Sequence, residues 1–470
     1  MNKFYITTAI PYVNGKPHIG HALEYFQADC VRRYHDLLGE ETLLLSGADE
    51  NALKNVQAAE KEGMPVQEFL DKNSEIFKET FAKLGIKLDV FQRGSDKEKH
   101  YPGVQKFWQL CQESGDIYKK TYSGLYCIGC ESFKAEGELV DGLCPDHQKA
   151  PEKVEEENYF FRLSKYQERL VELIESNQLK ITPENKRQET LHFIKSGLED
   201  FSVSRSKERA RGVGVPVPED PDQVVYVWFD ALNIYNTGVG FGVDEDKWHK
   251  WWPADLHIIG KDINRFHTVY WPAMLLSANL PLPKQVLIHS FILTDGQKMS
   301  KTLGNVIDPF EMVESYGLEP FRYYLLSQIP IDEDGDFTVE RFKEVFISNL
   351  SNGLGNLVGR VAKLAENNNQ SAPTHPTEFD PEMTKHLDVY KFNEALSYIW
   401  KEISKADKYV NDNKPWELDS DQAKPILEEL IKKIQHIAFN LQPFLPETAL
   451  KILKQFSGQI KAEPPLFPRI

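Results

Sequence analysis

The sequence predicts an α/β protein: a doubly wound (Rossmann-like) domain with a parallel sheet, interrupted by an inserted module and followed by an all-α helical bundle. Three observations lead to this prediction. Strand-like and helix-like patterns alternate over residues 1–114 and resume over residues 221–302. Short strands and turns break that alternation over residues 115–220. From about residue 339 only long amphipathic stretches remain, and these predict helices.

The first strand–helix–strand unit has the clearest pattern. Residues 4–9 (FYITTA) are β-branched and aromatic, which predicts a strand, and a Pro/Gly-rich loop ends it. From Gly20 apolar residues recur at helical spacing, and Gly39 closes the predicted helix. Residues 41–46 (ETLLLS) predict the next strand. A helix between two strands implies that the strands are parallel.

The later elements follow the same reasoning. Within the inserted module, a helix is expected near residues 159–174 (YFFRLSKYQERLVELI). The α/β pattern resumes with VVYVWFDAL, and LHIIG leads into a helix predicted at residues 262–277. QVLIHSFIL predicts a further strand. Asp308 followed by Pro309 predicts a helix start, because aspartate caps a helix and proline fits its first turn.

Two segments of this framework suit a polyphosphate. The helix that begins near Gly20 has free N–H groups that favour an anion, and the glycine allows close approach to the backbone. His18 and His21 are three residues apart and share one helical face. Lys298 and Lys301 lie in a loop after a second strand. The two segments can hold opposite ends of a triphosphate, which suits attack at an α-phosphate with pyrophosphate leaving.

Length, composition and charge limit the classes of protein to which the chain can belong. With 470 residues, 41% of them hydrophobic, the chain can bury a large core and hold two or three domains. It has no run of about 18 apolar residues and no N-terminal apolar core of signal-peptide type. We therefore expect no membrane span and a cytoplasmic protein. The net charge of −16 disfavours non-specific nucleic-acid binding, so any specific binding requires local basic patches.

The cysteines argue for a metal site. Three of the five fall in one short segment, which favours metal over disulfides and suits a reducing compartment. Cys127 and Cys130 form one C-x-x-C pair, and Cys144 and His147 form a second pair at the same spacing. Four such ligands leave no position for water, so we predict one structural Zn²⁺ per chain. The alternative is four unrelated side chains in a loop.

The chain resembles a known family in two motifs. PHIGH (17–21) and KMSKT (298–302) resemble the HIGH and KMSKS motifs of class I aminoacyl-tRNA synthetases. The resemblance is closest to the methionyl-tRNA synthetases and runs from the TTAIPYVNG opening to the PLFPRI end. YVWFDALNIY (226–235), IIGKDINRFH (258–267) and the KPW tripeptide (414–416) of the helical tail also look like that family.

The resemblance implies an activity, partners and domain roles. The implied activity is activation of L-methionine with ATP and Mg²⁺ to methionyl-adenylate and pyrophosphate, then transfer of methionine to the 3′ end of tRNA(Met). Residues 1–114 and 221–302 would be the halves of a catalytic domain, and 115–220 a connective insertion with one zinc knuckle. Residues 303–338 would be a linking stem, and 339–470 an α-helical anticodon-binding domain. Without a C-terminal RNA-binding extension, we expect a monomer.

The resemblance also implies site residues. The catalytic residues would be His18, His21, Lys298 and Lys301. ATP would further contact Pro17, Gly20, Asp262 and Ser300. Methionine would contact Ala9, Ile10, Tyr12, Asp49, Arg205, Trp228, Ala231, Tyr235, Ile263 and His267, with Asp49 on its ammonium group. The anticodon would contact Asn356, Arg360 and Trp416.

Several of these residues have a plainer alternative role. Trp228 could be a core aromatic at a strand end, and His267 a hydrogen-bonded core histidine. Asp262 could be a helix N-cap, and Arg205 an exposed surface arginine. For the anticodon residues, Asn356 could be a polar group that packs between helices, Arg360 a solvated charge, and Trp416 an aromatic in the core of the bundle.

Two positions depart from the family pattern, and two other functions compete with it. The stretch usually reading DEHG is DENA here, so Asn51 replaces a histidine, and Leu232 replaces a proline sometimes found after the pocket alanine. A nucleotidyltransferase that makes a small-molecule adenylate without tRNA would need neither a zinc module nor a helical tail. A catalytically silent RNA-binding relative is disfavoured because both histidines and both lysines are intact.

Overall fold

The architecture comes from a computed structural model, which describes residues 2–128, 132–145, 148–294, 296–299, 306–372 and 376–468. The chain divides into two compact units. The first unit comprises Met1–Pro17 and Glu41–Ile288, and the second comprises His18–Glu40 and His289–Ile470. The domain boundaries predicted near residues 114, 220, 302 and 338 stay predictions.

The strands are, in chain order, β1 (Lys3–Thr8), β2 (Glu41–Ala48), β3 (Val90–Arg93), β4 (Ile117–Cys127), β5 (Ser132–Lys134), β6 (Glu152–Phe161), β7 (Lys180–Thr182), β8 (Phe201–Ser202), β9 (Ser204–Ser206), β10 (Pro216–Val217), β11 (Asp220–Val225), β12 (Leu256–Gly260), β13 (Gln285–His289), β14 (Ile292–Thr294), β15 (Gln297–Lys298), β16 (Gly335–Asp336), β17 (Ser371–Ala372) and β18 (Gly458–Gln459).

The helices are α1 (Ile19–Leu37), α2 (Leu53–Glu62), α3 (Val66–Lys83), α4 (Tyr101–Glu113), α5 (Gln167–Glu175), α6 (Glu184–Lys195), α7 (Val227–Ala231), α8 (Ile234–Thr237), α9 (Glu245–Trp251), α10 (Trp271–Ser277), α11 (Pro309–Tyr316), α12 (Leu318–Gln328), α13 (Val339–Val345), α14 (Asn356–Asn367), α15 (Pro381–Leu387), α16 (Phe392–Asn413), α17 (Ser420–Leu441) and α18 (Pro446–Gln455). Short 3-10 turns cover Glu136–Glu138, Leu163–Tyr166, Lys261–Ile263 and Pro415–Glu417, and π-helical segments cover Phe266–Tyr270 and Phe346–Gly355.

The first unit is built on a six-stranded sheet with the order β3-β2-β1-β12-β13-β7. β1 pairs in parallel with β2 on one side and β12 on the other. Every residue of β12 is buried, as expected for a parallel strand covered on both faces. Beside the sheet, the ring of Phe107 lies 5.3 Å from Phe229 and 5.5 Å from Trp271, so large aromatics fill the core. The predicted mixed α/β class with a parallel sheet is confirmed.

The inserted segment carries a sheet of its own, and the helix predicted within it is present but begins later than expected. The strands β5, β4, β6 and β8 form an antiparallel sheet. The helix expected near residues 159–174 begins only at Gln167, since Tyr159 to Phe161 end β6. Phe160 and Phe161 are buried and pair with β4, so cross-strand packing of aromatics outweighs the local helical pattern.

The helix predicted at residues 262–277 is confirmed with an irregular first half. A 3-10 turn over Lys261–Ile263 and a π-helical segment over Phe266–Tyr270 precede α10. The segment VVYVWFDAL divides differently: β11 ends at Val225, and Val227–Ala231 form the short helix α7. Trp228 therefore lies on a helix and not at a strand end.

The second unit begins with the predicted helix α1 and ends in a series of helices. Asp308 caps α11, as predicted, by accepting the N–H of Phe310 at 2.8 Å. Arg322 of α12 donates to buried Asp29 of α1 at 2.6 Å, which ties these two helices together. Beyond residue 339 the described chain is mainly helical, and the two-residue strands β17 and β18 pair with each other.

Candidate active site

Two histidines cap the first turn of α1. His18 is the N-cap residue, with extended backbone angles (φ −133°, ψ 173°). Its Nδ1 accepts the N–H of Gly20 at 3.1 Å, while the N–H of His18 donates to Nδ1 of His21 at 3.1 Å. The two rings lie 3.9 Å apart between centroids. This reciprocal cap satisfies backbone donors of the first turn and fixes both rings.

The cap also settles which ring nitrogens carry protons. Because Nδ1 accepts a hydrogen bond in both rings, the proton of each neutral imidazole lies on Nε2. Burial is the main cause that holds the pKa of His21 well below its usual range, and the neighbouring His18 and His289 lower it further. His21 is therefore neutral at pH 7 and has one N–H donor, at Nε2. Such donors at a helix N-terminus can contact phosphate oxygens.

A further pair beside this cap is absent from the sequence-based predictions. His289, the last residue of β13, meets the Glu24 carboxylate of α1 with 3.0 Å between Nε2 and Oε2. Both side chains are buried. The sequence places Glu24 three residues after His21 on one face of the helix, but it does not indicate the partner His289.

The predicted lysine segment is described only in part. Lys298 belongs to β15, which pairs with β14, and its side chain lies outside the described part of the structure, as do Ser300 and Lys301. Gly296, just before β15, has φ +71° and donates its N–H to Asp336 at 3.1 Å. This positive φ favours glycine at the turn.

The first unit gathers most of the residues predicted to bind methionine. The ring of Trp228 stacks on Phe266 at 3.8 Å between centroids, with the planes 6° apart. Tyr12 packs edge-on against the same indole at 6.2 Å, and His267 does so at 6.4 Å. We call Tyr12, Trp228, Tyr235, Phe266 and His267 the aromatic cluster. Sequence reasoning missed Phe266, although it directly precedes His267.

Hydrogen bonds fix the protonation of His267 inside this cluster. Its Nδ1 lies 3.0 Å from the carbonyl oxygen of Ile263 and therefore donates. Its Nε2, 2.8 Å from the Tyr235 hydroxyl, accepts from that hydroxyl. Burial lowers the pKa of His267 to about 4, against the opposing effect of the Ile263 carbonyl. The ring is a satisfied buried histidine, as the plainer alternative predicts, and it also faces Trp228.

Asp49 lies beside the cluster at the end of β2. It forms an isolated bridge with Tyr12, and its N–H donates to the Pro11 carbonyl at 2.9 Å. Its side chain is buried. Lys54 Nζ lies 3.1 Å from the centre of the Tyr12 ring, so a cation covers one face of that ring. Ala9 and Ile10 are half-buried just before Tyr12, and Ala231 is buried on α7.

Two predicted ligands lie in settings that the sequence did not indicate. Arg205 is buried, donates to the Ser202 hydroxyl at 2.8 Å and lies 4.4 Å from the Tyr226 ring. The alternative of an exposed surface arginine is therefore wrong. Asp262 is exposed on the 3-10 turn Lys261–Ile263, whose N-cap residue is Gly260, so the alternative of Asp262 as the N-cap is wrong for this turn.

Two of the predicted anticodon residues meet in the second unit. The Arg360 guanidinium lies 4.6 Å from the Trp416 ring and donates to Asn411 at 2.7 Å. Trp416 is 47% exposed, so its alternative as a bundle-core aromatic is wrong. Arg360 is half-buried and paired, and thus more than a solvated charge. Asn356 is exposed at the start of α14.

Of the four predicted zinc ligands, the structure describes two. Cys127 ends β4, and Cys144 lies in the connection between β5 and β6; both are buried. Cys130 and His147 lie outside the described residues. Across the described ranges, no group of three or more His, Cys, Asp or Glu side chains could hold a metal ion. Across those ranges, too, no helix is long and apolar enough to cross a membrane.

Comparison with known proteins identifies the family. The family model described as tRNA synthetases class I (M) matches residues 4–153 and 147–362. Methionine–tRNA ligase of Clostridium acetobutylicum is 41% identical over 97% of this chain and 74% of its own length. The Bacillus subtilis ligase is 40% identical over 100% of this chain and 78% of its own length.

A solved structure agrees with these relatives. Mycobacterium tuberculosis methionyl-tRNA synthetase in complex with methionyl-adenylate superposes with a TM-score of 0.92 at 36% identity, covering 100% of both chains. The apo form of the same enzyme gives a TM-score of 0.84 at 34% identity, covering 100% of this chain and 98% of that one. The chain therefore belongs to the methionyl-tRNA synthetases of the class I tRNA synthetase family and has their activity as methionine–tRNA ligases.

Proposed function

We propose that the aromatic cluster and Asp49 form the methionine site of this ligase. The observation that carries the proposal is the neutral His267, held between the Tyr235 hydroxyl and the Ile263 carbonyl. A neutral ring with aromatic neighbours suits an unbranched side chain that ends in a soft thioether. Ala9, Ile10, Ala231 and Ile263 would add apolar wall, and the buried Asp49 carboxylate would bind the ammonium group.

Arg205 is held by contacts within the protein. Its guanidinium is already engaged by Ser202 and by the Tyr226 ring. Tyr226 lies two residues before Trp228 in the chain. We therefore propose that Arg205 acts on the methionine site through the segment that carries Trp228, and that its direct contact with substrate is secondary.

The histidine cap of α1 is the proposed phosphate site. Neutral His18 and His21 would donate from Nε2 to ATP oxygens, and Gly20 leaves room for close approach of the nucleotide. Lys298, Ser300 and Lys301 would close over the β- and γ-phosphates, with Mg²⁺ bound to the ATP. Pro17 and exposed Asp262 would also contact ATP, with Asp262 at the ribose. The lysine and serine roles rest on the KMSKT motif alone.

The activation step needs no general base, because the methionine carboxylate is ionised at pH 7. One of its oxygens attacks the α-phosphorus of ATP, the bond to the bridging oxygen breaks, and pyrophosphate leaves with that oxygen. The products are methionyl-adenylate and pyrophosphate. The terminal ribose hydroxyl of tRNA(Met) then attacks the carbonyl carbon of methionyl-adenylate, the bond from that carbon to the phosphate oxygen breaks, and AMP leaves with the hydroxyl proton taken up by the departing phosphate. Catalysis is thus positioning together with stabilisation of phosphate charge.

The helical region from residue 339 is the proposed anticodon-binding domain. Trp416 is half-exposed beside the Arg360 guanidinium, an arrangement that offers a stacking plane and a donor to a splayed base. Exposed Asn356 would add a base-edge contact. The expected partner is tRNA(Met), and the expected setting is the cytoplasm, with the protein acting as a monomer.

Zinc is proposed as a structural ion of the insertion. The donor set of Cys127, Cys130, Cys144 and His147 suits a tetrahedral, closed Zn²⁺ site. The two ligands with described positions, Cys127 and Cys144, are buried, as ligands of a closed site should be. The ion would stabilise this small sheet and would take no part in the reaction.

Amino-acid-dependent ATP–pyrophosphate exchange tests the proposal. Exchange should require methionine when all twenty amino acids are compared. Trp228→Ala should raise the methionine KM by about tenfold or more, because a large aromatic contact is lost. Trp416→Ala serves as the matched tryptophan control and should leave exchange unchanged. An unchanged methionine KM in Trp228→Ala would refute the proposed methionine site.

A further inference from the structure

A buried network of hydrogen bonds includes Asp230, which lies on the same helix, α7, as Trp228. The Asp230 carboxylate meets Nε2 of His100 at 2.5 Å through Oδ1, and it accepts from the Asn51 amide at 2.7 Å through Oδ2. The other ring nitrogen of His100 lies 2.7 Å from the Thr237 hydroxyl. The same Asn51 amide nitrogen also donates to the Gly94 carbonyl at 2.8 Å. All five residues belong to the first unit.

The central residues of this network are buried, so each polar group depends on its hydrogen-bond partners. His100 and Asp230 are almost completely inaccessible to water. A carboxylate in such a place is costly unless hydrogen bonds compensate for the lost water. Here each oxygen of Asp230 has a different partner, and both N–H groups of the Asn51 amide are used. Removal of one partner leaves a buried polar group unsatisfied, so the network holds one geometry.

The position of the network links it to the amino-acid site. Asp230 lies on α7 between Trp228 and Ala231, and Thr237 lies on α8 two residues after Tyr235. These helices have only five and four residues, so little of their own backbone hydrogen bonding holds them in place. A single imidazole, that of His100 just before α4, contacts both helices. The segment that follows β2 contacts α7 through the hydrogen bond from Asn51 to Asp230.

We propose that His100, Asp230 and Asn51 are positioning residues for methionine, which set the places of Trp228, Ala231 and Tyr235 through α7 and α8. This inference rests on the proposed methionine site. None of the three needs to touch the substrate. Asn51, the position where this chain departs from the DEHG pattern, would take part through its two amide N–H groups.

A role in stability alone is the competing explanation, and the two make different predictions. A positioning role changes methionine recognition more than ATP recognition, whereas a purely structural role lowers the melting temperature and leaves both KM values alone. The test variants are Asn51→Ala, which removes both donors, and Asn51→Asp, which has the same shape but sets a carboxylate against Asp230. Asn185→Ala, an exposed asparagine, is the matched control.

The measurements are methionine KM, ATP KM and melting temperature for each purified variant. Asn51→Ala should raise the methionine KM about tenfold, as expected for loss of a hydrogen bond to a charged group, with the ATP KM changed less than about twofold. Asn51→Asp should raise the methionine KM further, because the new carboxylate and that of Asp230 would repel each other. His100→Gln, which keeps one donor near Asp230, is the second variant should Asn51→Asp fail to fold, and it should also raise the methionine KM.

The outcomes separate this inference from the site on which it rests. The inference is wrong if the Asn51 and His100 variants melt earlier but keep the methionine KM of the parent protein while Trp228→Ala raises it. Equal increases in the two KM values would also overturn it. If Trp228→Ala leaves the methionine KM unchanged, the proposed methionine site fails and the inference fails with it. A selective methionine effect in both sets of variants supports the inference.

Discussion

The Tyr235 hydroxyl donates to Nε2 of His267 across 2.8 Å, 32 residues away in sequence. The bond has a definite direction because Nδ1 of His267 already donates to the Ile263 carbonyl. In the proposed methionine site, the pair would present a neutral imidazole and a phenol whose proton is engaged to the methionine side chain. This relationship connects a short helix, α8, with the π-helical segment that contains His267.

The first prediction concerns that hydroxyl. Tyr235→Phe keeps the ring but removes the donor to His267, leaving a buried acceptor unsatisfied. We expect the methionine KM to rise about three- to tenfold, the range for one neutral hydrogen bond. Tyr118→Phe removes a tyrosine hydroxyl that binds Asp200 in the inserted segment and is the matched control. Steady-state exchange kinetics give both values, and equal effects in the two variants would contradict the assignment.

The second prediction concerns pH and stability. His267 has a folded-state pKa of about 4, lowered by burial from an ordinary value of 6.5. Between these values the unfolded chain binds a proton that the folded protein excludes, so stability falls as pH drops from 6.5 towards 4 and levels off below that. The loss from this group is at most roughly 3 kcal/mol.

Replacement of His267 checks that dependence. His267→Gln cannot titrate, so the difference in unfolding free energy between pH 7 and pH 5 should shrink relative to the parent protein. Urea unfolding at the two pH values measures this difference. His192→Gln, a histidine exposed on α6, provides the comparison. An unchanged difference in the His267 variant would show that the proton uptake belongs to other groups.

The third prediction separates the role of His18 as the N-cap of α1 from its proposed role as a phosphate ligand. Asparagine is among the best N-cap residues, so His18→Asn should keep the start of α1 and the melting temperature. It removes the imidazole, however, and with it the donor that we propose for the phosphates. We expect the exchange kcat to fall about a hundredfold, as for loss of one transition-state donor. Methionine binding by calorimetry should stay within about twofold. Near-normal exchange in a folded variant would refute the phosphate role.

Features that depend on local sequence could be predicted, whereas features that depend on contacts between distant residues could not. The first strand, the cap at Asp308 and the helix around residues 262–277 depend on local patterns, and the structure confirms them. The burial of Arg205 and the pairing of Glu24 with His289, 265 residues apart, depend on tertiary packing. No periodicity encodes such contacts. The wrong helix boundary near residue 160 has the same origin, because pairing with β4 decides it.

The fourth prediction is one zinc ion per chain. Elemental analysis of freshly purified protein should give one zinc equivalent, and Cys127→Ser should lose it. The melting temperature should fall in that variant, because the ion would join the end of β4 to the connection between β5 and β6. Cys30→Ser, at a buried cysteine of α1, is the control and should retain the metal. A metal content of zero or two equivalents in the parent protein would contradict the prediction.

The last prediction concerns Trp416, whose indole is 47% exposed and lies 4.6 Å from the Arg360 guanidinium. Loss of one base stack costs roughly 1–3 kcal/mol. Trp416→Ala should therefore lower kcat/KM for tRNA(Met) charging by about five- to a hundredfold. Methionine-dependent exchange needs no tRNA and should be nearly unchanged.

A conservative replacement sharpens this test. Trp416→Phe keeps an aromatic plane and should recover much of the charging activity, whereas a role in packing alone predicts no such link between stacking area and charging. Arg360→Lys keeps the charge but loses the flat guanidinium beside the indole, so it should weaken charging by a smaller factor. Melting temperatures identify any variant whose fold is damaged. If Trp416→Ala lowers exchange and charging equally, the tryptophan supports the fold and does not read the tRNA.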